Sequence, residues 1–272
     1  MSLKKGRVLV VAGSDSSGGA GIQADIKTVT ALGGYAATAI TALTAQNTTG
    51  VANVQPIEAA FVAHQMKVVL EDIGADVLKT GMLHSAPIIE AVAGVYRMMS
   101  AGMGYVLDPV MIAKGGHRLL DINAVEALKQ RLLPLADLIT PNIPEAQALT
   151  GICIDGPEQM EVAAKKILDF GPGSVLLKGG HLEGSKLYDL LVTSLGSEWF
   201  ETERIDTRHT HGTGCTLASA IATGLAQGLV LDKAVCRARE YVFKAIRKAP
   251  GFGAGHGPLG HTHTVSIFPP KK

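Results

Sequence analysis

Aromatic residues and charges are scarce in this sequence of 272 residues. Phe, Trp and Tyr make up only 4% of it and charged residues 18%, with a formal net charge of +1. Proteins that bind nucleic acids present basic surfaces, and those that bind single strands also offer aromatic side chains for stacking. The composition therefore argues against a nucleic-acid partner.

Cysteine is also rare, and long uninterrupted apolar runs are missing. Cys153, Cys215 and Cys236 are scattered without the spacing of a metal site. Two stretches without formal charge, 28–57 and 209–231, are interrupted by Gly, Thr, Asn or Gln, so neither is typical of a membrane span. The apolar run behind the basic N-terminus is too short for a signal peptide. We expect a soluble cytoplasmic protein without membrane contact.

Hydrophobic residues make up 47% of the chain, and strand-like and helix-like patterns alternate along it. Strands are predicted at 7–12, 35–41, 51–57, 77–79, 105–107, 137–140, 175–178, 187–193 and 198–204, the last two as an antiparallel pair. Helices are predicted at 20–32, 58–73, 87–100, 124–133, 157–170, 216–227 and 232–249. This order predicts a three-layer α/β fold, with a mostly parallel central sheet and helices on both faces. Since no repeat or linker is visible, residues 1–272 are expected to form one domain.

In sheets of this kind, ligands bind beyond the carboxyl ends of the strands. One such loop, 209–216, reads HTHGTGCT and leads into a helix. Gly212, Thr213 and Gly214 could turn backbone N–H groups towards a phosphoryl group at the helix N-terminus. Cys215 lies at the same helix start, which is expected to lower its pKa. The alternative is a tight loop that needs glycine for its turns, with a small buried cysteine.

The first strand ends in a second loop of this kind, GSDSSGGAG at 13–21. It matches neither the phosphate-binding Walker pattern nor the dinucleotide fingerprint, although its backbone could still approach a ligand. Asp25 follows on the inner face of the next helix. An acid on that face favours a functional or paired role, because burying an unpaired charge is costly. Stabilisation of the helix N-terminus is the alternative.

Further polar residues follow the other strands. Asn142 and Glu145 could supply oxygen ligands for Mg²⁺, but the same spacing is that of an ordinary capping box. Asp108 could face a metal or the acceptor, and Lys178 could reach a phosphate; taken singly, such a residue is more often a loop charge in solvent. The histidines near the C-terminus, His256, His261 and His263, are expected to lie in a solvated, irregular tail.

Together these segments resemble the ribokinase superfamily, and within it the hydroxymethylpyrimidine/phosphomethylpyrimidine kinases of thiamine biosynthesis. The matching segments are GSDSSGGAGIQAD (13–25), ALTAQN (42–47), KTGML (79–83), VLDPVM (106–111), LITPNIPEA (138–146), LKGGH (177–181) and THGTGCT (210–216). They occur in order from about residue 7 to 260, which covers nearly the whole chain.

The resemblance implies a ribokinase-like fold with an eight-stranded sheet and a small β flap at about 35–56. It implies ATP and Mg²⁺, and two successive phosphorylations of 4-amino-5-hydroxymethyl-2-methylpyrimidine, to the monophosphate and then the diphosphate. Relatives are usually homodimers. Sugar kinases of the superfamily carry a catalytic Asp at the position of Cys215.

The resemblance also implies residue roles. Gln46 matches the residue that holds the polar edge of the pyrimidine, and Asp25 one near its hydroxymethyl group. Thr44, Met82 and Val110 match the residues that lie beside the pyrimidine ring. Gly212, Thr213, Gly214 and Cys215 match the catalytic anion hole and its cysteine. Asp108, Asn142, Glu145 and Lys178 match the surroundings of the metal and the ATP phosphates, with Asp108 and Glu145 nearest the metal.

Two other functions stay open. A pyridoxal or pyridoxine kinase of the same branch is one, although Gln46 and the LKGGH segment favour the pyrimidine. A nucleotide-binding regulatory protein without activity is the other, and the presence of every expected catalytic position argues against it. A nicotinamide-dependent oxidoreductase would need a fingerprint that the sequence lacks.

Overall fold

A single nine-stranded sheet runs through the computed structural model, which describes residues 4–112, 119–121, 123–182 and 184–266. The strands in chain order are β1 (Arg7–Asp15), β2 (Tyr35–Asn47), β3 (Gly50–Pro56), β4 (Val77–Thr80), β5 (Gly104–Leu107), β6 (Leu138–Ile139), β7 (Ser174–Lys178), β8 (Lys186–Thr193) and β9 (Gly196–Glu203). Their order across the sheet is β3-β2-β1-β4-β5-β6-β7-β8-β9. The expected count of eight strands is therefore wrong by one.

The six strands from β2 to β7 across the sheet are parallel, and antiparallel strands close both edges. Strands β8 and β9 form the predicted antiparallel pair around the turn at 194–195. At the other edge, the first half of β2 pairs in parallel with β1, and its second half pairs antiparallel with β3. The segment predicted as a flap, 35–56, thus coincides with β2 and β3.

Helices cover both faces of the sheet, as predicted. They are α1 (Gly21–Ala31), α2 (Ala59–Asp72), α3 (Ala86–Met99), α4 (Ala124–Arg131), α5 (Ile143–Thr150), α6 (Pro157–Leu168), α7 (Thr213–Ala226) and α8 (Leu231–Arg247). Alternate residues of β1 point to opposite layers: Leu9 and Val11 pack with α2 to α6, whereas Val8 and Val10 pack with α1, α7 and α8. Truncating a fully buried side chain of these layers, such as Ile89→Ala, is expected to cost about 2–5 kcal/mol of stability.

The C-terminal segment departs from the expectation of a solvated tail. A short 3-10 helix, His261–Thr264, packs against α1 and α8, and only 8% of His261 is exposed. Its Nδ1 lies 3.1 Å from the Tyr241 hydroxyl. The expectation failed because histidine composition says nothing about what the ring can pack against, here the tyrosine of a neighbouring helix.

Among the described residues, no helix combines the length and apolar character needed to cross a lipid bilayer.

Candidate active site

A cavity of about 1130 Å³ opens at the carboxyl ends of the parallel strands. Five strand ends contribute a lining residue: Asp15 from β1, Gly81 after β4, Asp108 after β5, Asn142 after β6 and Lys178 from β7. The start of α7 closes one side. This is the location that the parallel topology predicts for a ligand.

The N-terminus of α7 forms a backbone nest in the cavity wall, made of Gly212, Thr213, Gly214 and Cys215. The cap residue Gly212 has a φ of 82°, in the left-handed region, and a Cβ there would collide with the carbonyl oxygen of Gly19. Only glycine fits this position. Because the first N–H groups of a helix have no intrahelical acceptor, the positive end of α7 faces the cavity.

Lys178 and Asp108 form an ion pair beside this nest. Lys178 Nζ lies 3.1 Å from Asp108 Oδ1, which also accepts a hydrogen bond of 3.0 Å from the hydroxyl of Thr140. A Cβ at Gly214 would lie 3.3 Å from the ammonium, so this glycine leaves room for it. Burial lowers the pKa of Lys178, but Asp108 and Glu145 raise it by more. Lys178 is therefore a fixed positive charge in the cavity wall.

Asn142 and Glu145 form the capping box that sequence analysis offered as the alternative. The Asn142 side chain accepts from the Glu145 N–H at 2.9 Å, and Glu145 Oε2 accepts from the Asn142 N–H at 2.8 Å. Both residues also line the cavity. Burial and the charge of Asp108 raise the pKa of Glu145 to about 7, although Lys178 and backbone N–H groups oppose this rise. The cap therefore holds a carboxyl group at the site.

Cys215 lines the cavity, but its thiol differs from the expectation. Burial raises its pKa to about 12; the charges of Asp25 and Asp108 also raise it, while Lys79 and a hydrogen bond with the Gly21 backbone lower it. The expected lowering of the Cys215 pKa by the helix terminus is therefore wrong. Burial and two nearby carboxylates outweigh the helix dipole.

Asp25 lies behind the cavity wall. Its carboxylate is completely buried, 2.9 Å from Lys79 Nζ and 2.6 Å from the hydroxyl of Ser219. A Cβ at the cavity-lining Gly81 would lie 3.2 Å from the same ammonium. Asp25 is thus outside the cavity lining, and its place near the hydroxymethyl group of the acceptor stays a prediction.

The other four predicted acceptor residues line the cavity together. Thr44 and Gln46 lie on β2, and Met82 and Val110 follow β4 and β5. Met82 and Thr44 are buried, whereas Gln46 is partly exposed. These side chains combine an apolar wall with an amide and a hydroxyl, a composition suited to a small heteroaromatic ring.

Three residues at the site were not predicted from the sequence: Asp15, Lys79 and His211. Lys79 carried a signal, because a lysine within the apolar strand VLKT must find a buried partner. His211 Nε2 lies 2.8 Å from Asp15 Oδ2, and both residues line the cavity. The two residues are 196 positions apart in the sequence, and no local pattern could pair them.

Within the described part of the chain, no group of three or more His, Cys, Asp or Glu side chains is arranged to hold a metal ion by itself.

Comparison with known sequences shows what class of protein this fold and cavity belong to. The family described as Phosphomethylpyrimidine kinase matches residues 15–260. A hydroxymethylpyrimidine/phosphomethylpyrimidine kinase of Streptomyces coelicolor is 47% identical over 93% of both chains. The thiamine biosynthesis bifunctional protein ThiED of Geobacter sulfurreducens is 53% identical over 94% of this chain, which spans 52% of that longer protein. The chain belongs to the phosphomethylpyrimidine kinase family.

Solved structures agree with the predicted ribokinase-like fold. A pyridoxal kinase of Bacillus subtilis, determined as an ADP complex, superimposes with a TM-score of 0.88 at 37% identity, covering 95% of this chain and 98% of that one. A phosphomethylpyrimidine kinase from Clostridium difficile gives 0.79 at 42% identity, covering 89% of this chain and 100% of its own. The resemblance stated from the sequence is confirmed.

Proposed function

We propose that this chain transfers the γ-phosphoryl group of ATP first to 4-amino-5-hydroxymethyl-2-methylpyrimidine and then to its monophosphate, in thiamine biosynthesis. The observation that carries this proposal is the cavity itself. Its wall combines an amide and apolar side chains suited to a small ring with a helix terminus and a fixed ammonium suited to phosphates. The family membership supports the same reaction.

At the acceptor end, Gln46 reads the polar edge of the ring, since an amide can donate and accept hydrogen bonds at once. Met82 and Val110 pack against the ring, and Thr44 supports the amide. Asp25 acts from behind the wall, through Lys79 and the charge that the pair places near Cys215.

At the phosphoryl end, the backbone N–H groups of Gly212–Cys215 bind the negative charge that develops during transfer, which is the largest catalytic contribution in many enzymes. Lys178 binds the phosphates of ATP or of the acceptor, and Asn142 holds Glu145 in place through the capping box. Cys215 holds the acceptor hydroxyl in line with the phosphoryl group; its thiol, with a pKa raised to about 12, keeps its own proton.

The donor set of Asp108 and Glu145 fits Mg²⁺, which prefers carboxylate oxygens, keeps several waters and relies on substrate phosphates. Both carboxylates line the cavity and are close enough for the charge of Asp108 to raise the pKa of Glu145. Bound with ATP, the ion would neutralise charge on the phosphates.

An assay of ADP release tests the proposal. The pyrimidine alcohol, its monophosphate and pyridoxal are supplied in parallel with ATP, with and without Mg²⁺. We expect turnover of both pyrimidines and dependence on Mg²⁺. ATP binding without turnover of any acceptor would favour the inactive regulatory protein instead.

Pyridoxal kinase activity is the second candidate. The observation in its favour is the close superposition on structures named pyridoxal kinase, with TM-scores up to 0.88. A value of kcat/KM for pyridoxal above that for the pyrimidine alcohol would make it the main activity.

We further propose that the chain acts as one domain, that the flap at β2 and β3 covers the substrate, that the chain forms a homodimer, and that it works in the cytoplasm. Sedimentation of the purified protein tests the dimer.

A further inference from the structure

Three cavity-lining side chains, Asp15, His211 and Gln46, form a series of polar contacts. His211 Nε2 lies 2.8 Å from Asp15 Oδ2 and 3.3 Å from Gln46 Nε2. At its other end, Gln46 Oε1 lies 3.1 Å from Thr44 Oγ1. None of the roles proposed above uses Asp15 or His211.

Asp15 is an ionised carboxylate. Its Oδ1 accepts from the Ser17 N–H at 2.9 Å, its Oδ2 accepts from the Ala20 N–H at 2.8 Å, and the Ser17 hydroxyl also donates to it. Burial raises its pKa, but these hydrogen bonds and the one from His211 lower it by more. A lone pair on His211 Nε2 would be repelled by this oxygen at 2.8 Å. Nε2 therefore carries a hydrogen in either charge state of the ring.

That hydrogen restricts the amide of Gln46. An amide nitrogen is only a donor, so Gln46 Nε2 and His211 Nε2–H would present two donors to each other. The amide oxygen of Gln46 has the matching conflict with Thr44 Oγ1, because two acceptors would face each other. Thr44 Oγ1 gives its single hydrogen to the Ser14 carbonyl at 3.0 Å, so it can only accept from Gln46. A half-turn of the amide exchanges two groups of the same shape and removes both conflicts.

We infer that Asp15 and His211 are positioning residues that fix the polarity of the Gln46 amide, with its carbonyl oxygen towards His211 and its NH₂ group towards Thr44. The amide then offers the cavity a lone pair on the His211 side and an N–H on the Thr44 side. His211 directly precedes Gly212, so the lone pair lies on the side of the nest.

This inference deepens the proposed function and rests on it. In the proposed pyrimidine, the amino group is on the ring carbon next to the one that carries the reacting hydroxymethyl group, and the ring nitrogen is one atom farther away. The amino group of the pyrimidine, which donates a hydrogen bond, therefore lies nearest the nest, opposite the carbonyl oxygen of Gln46. The 4-oxo analogue presents the reverse order, with a carbonyl oxygen and a ring N–H, and meets two mismatches.

The test compares kcat/KM for the 4-amino and 4-oxo acceptors in the wild type and Asp15→Asn. We expect the wild type to prefer the amino acceptor by about 10²-fold or more, because a mismatched acceptor leaves buried polar groups unpaired. In Asp15→Asn the neutral amide no longer holds the hydrogen on His211 Nε2, and Gln46 can turn. We expect the preference to fall by about tenfold or more, through a higher KM for the amino acceptor and an unchanged KM for ATP.

Ser17→Ala is the matched control, since Ser17 bonds to Asp15 without lining the cavity. It should keep the preference of the wild type. If Asp15→Asn lowers kcat/KM equally for both acceptors, the role of Asp15 is purely structural and the inference is overturned.

A second measurement does not depend on any acceptor. Nitrogen-15 NMR of the histidine rings, assigned with His211→Phe, reports which ring nitrogen carries hydrogen. Hydrogen on Nε2 in the wild type, and its partial loss in Asp15→Asn, support the inference; an Nε2 without hydrogen in the wild type overturns it. If the wild type phosphorylates neither pyrimidine, the proposed function fails, and the NMR result still decides the orientation of Gln46.

Discussion

The ammonium of Lys79 lies 2.9 Å from the carboxylate of Asp25, and both side chains are completely buried. Lys79 belongs to a layer of the sheet that is otherwise apolar, between Val10 on β1 and Val106 on β5. Burial lowers the pKa of Lys79, but Asp25, Cys215 and Asp108 together raise it by more, so the lysine stays charged. A buried ion pair is weak evidence for stability. Both charges shift the pKa of the Cys215 thiol, and we therefore expect the pair to serve the reaction as well.

The first prediction separates a contribution of the Lys79–Asp25 pair to stability from a role in the reaction. Lys79→Met leaves Asp25 as a buried unpaired charge and is expected to lower the free energy of unfolding by about 3–5 kcal/mol. Lys79→Met with Asp25→Leu removes both charges and should recover most of that loss. Urea unfolding measures both effects, and kcat should stay low in the double variant.

Lys165→Met is the control for this series, because it removes a lysine that is 62% exposed and paired with Glu161 on α6. Its effect should stay below about 1 kcal/mol. A double variant as unstable as Lys79→Met, or one with wild-type kcat, would contradict the prediction.

The Lys79–Asp25 pair also shows what the sequence could predict and what it could not. The order of strands and helices follows from hydrophobic periodicity, and parallel topology alone placed Asp108, Asn142 and Lys178 at one edge of the sheet. The partner of Lys79 lies 54 positions away, and no periodicity identifies it. The same limit applies to Cys215, since the pKa of its thiol depends on carboxylates from distant loops.

Local sequence patterns also predicted less of helices α5 and α7 than the structure contains. Helix α7 begins at Thr213, three residues earlier than predicted, because a left-handed glycine caps it and supplies no helical pattern of its own. The two turns of α5 were predicted only as a capping box. Its apolar residues are too few to show a periodicity, although packing buries Ile143, Ala146 and Leu149.

The second prediction concerns the stability of the protein in acid. Burial, together with the charges of Lys27 and His263, lowers the pKa of His261 to about 4. The unfolded chain, with a histidine pKa near 6.5, binds more protons than the folded one between these values. The free energy of unfolding should therefore fall as the pH drops from about 6.5 to 4, by on the order of 2–3 kcal/mol from this residue.

His261→Phe should remove that part of the pH dependence, since it keeps a ring in the same place without a titratable group. His64→Phe, which changes an exposed histidine on α2, should keep it. Chemical unfolding at pH 4, 5, 6 and 7 gives the comparison. Parallel curves for the wild type and His261→Phe would contradict the prediction.

The third prediction concerns Cys215. Because its pKa is raised to about 12, the thiol should react slowly with iodoacetamide at pH 7 although it lines the cavity, and faster as the pH rises. Cys153→Ser with Cys236→Ser removes the two exposed thiols and isolates this reaction. Because the acceptor hydroxyl is then no longer held in line, Cys215→Ala should lower kcat by about 10²-fold while ATP still binds. A wild-type kcat between pH 6 and 9 in Cys215→Ala would make the cysteine a packing residue.

The last prediction is that Lys178 matters more for the second phosphorylation than for the first. The first acceptor is a neutral alcohol, whereas the second is a monophosphate that carries a charge of about −1.5 to −2 at neutral pH, by analogy with phosphorylated side chains. Moving it towards the γ-phosphate brings like charges together. The nest at Gly212–Cys215 offsets part of this repulsion, and the ammonium of Lys178, beside Gly214, is placed to offset more.

Lys178→Met keeps much of the side-chain length and removes the charge, so it isolates the electrostatic contribution. We expect kcat/KM to fall by about tenfold for the alcohol and about 10²-fold or more for the monophosphate, since hydrogen bonds between charged groups are the strong ones. Lys165→Met is the matched control and should change neither value. Equal losses on both acceptors would mean that Lys178 serves ATP alone, and no loss on either would mean that its pair with Asp108 is only structural.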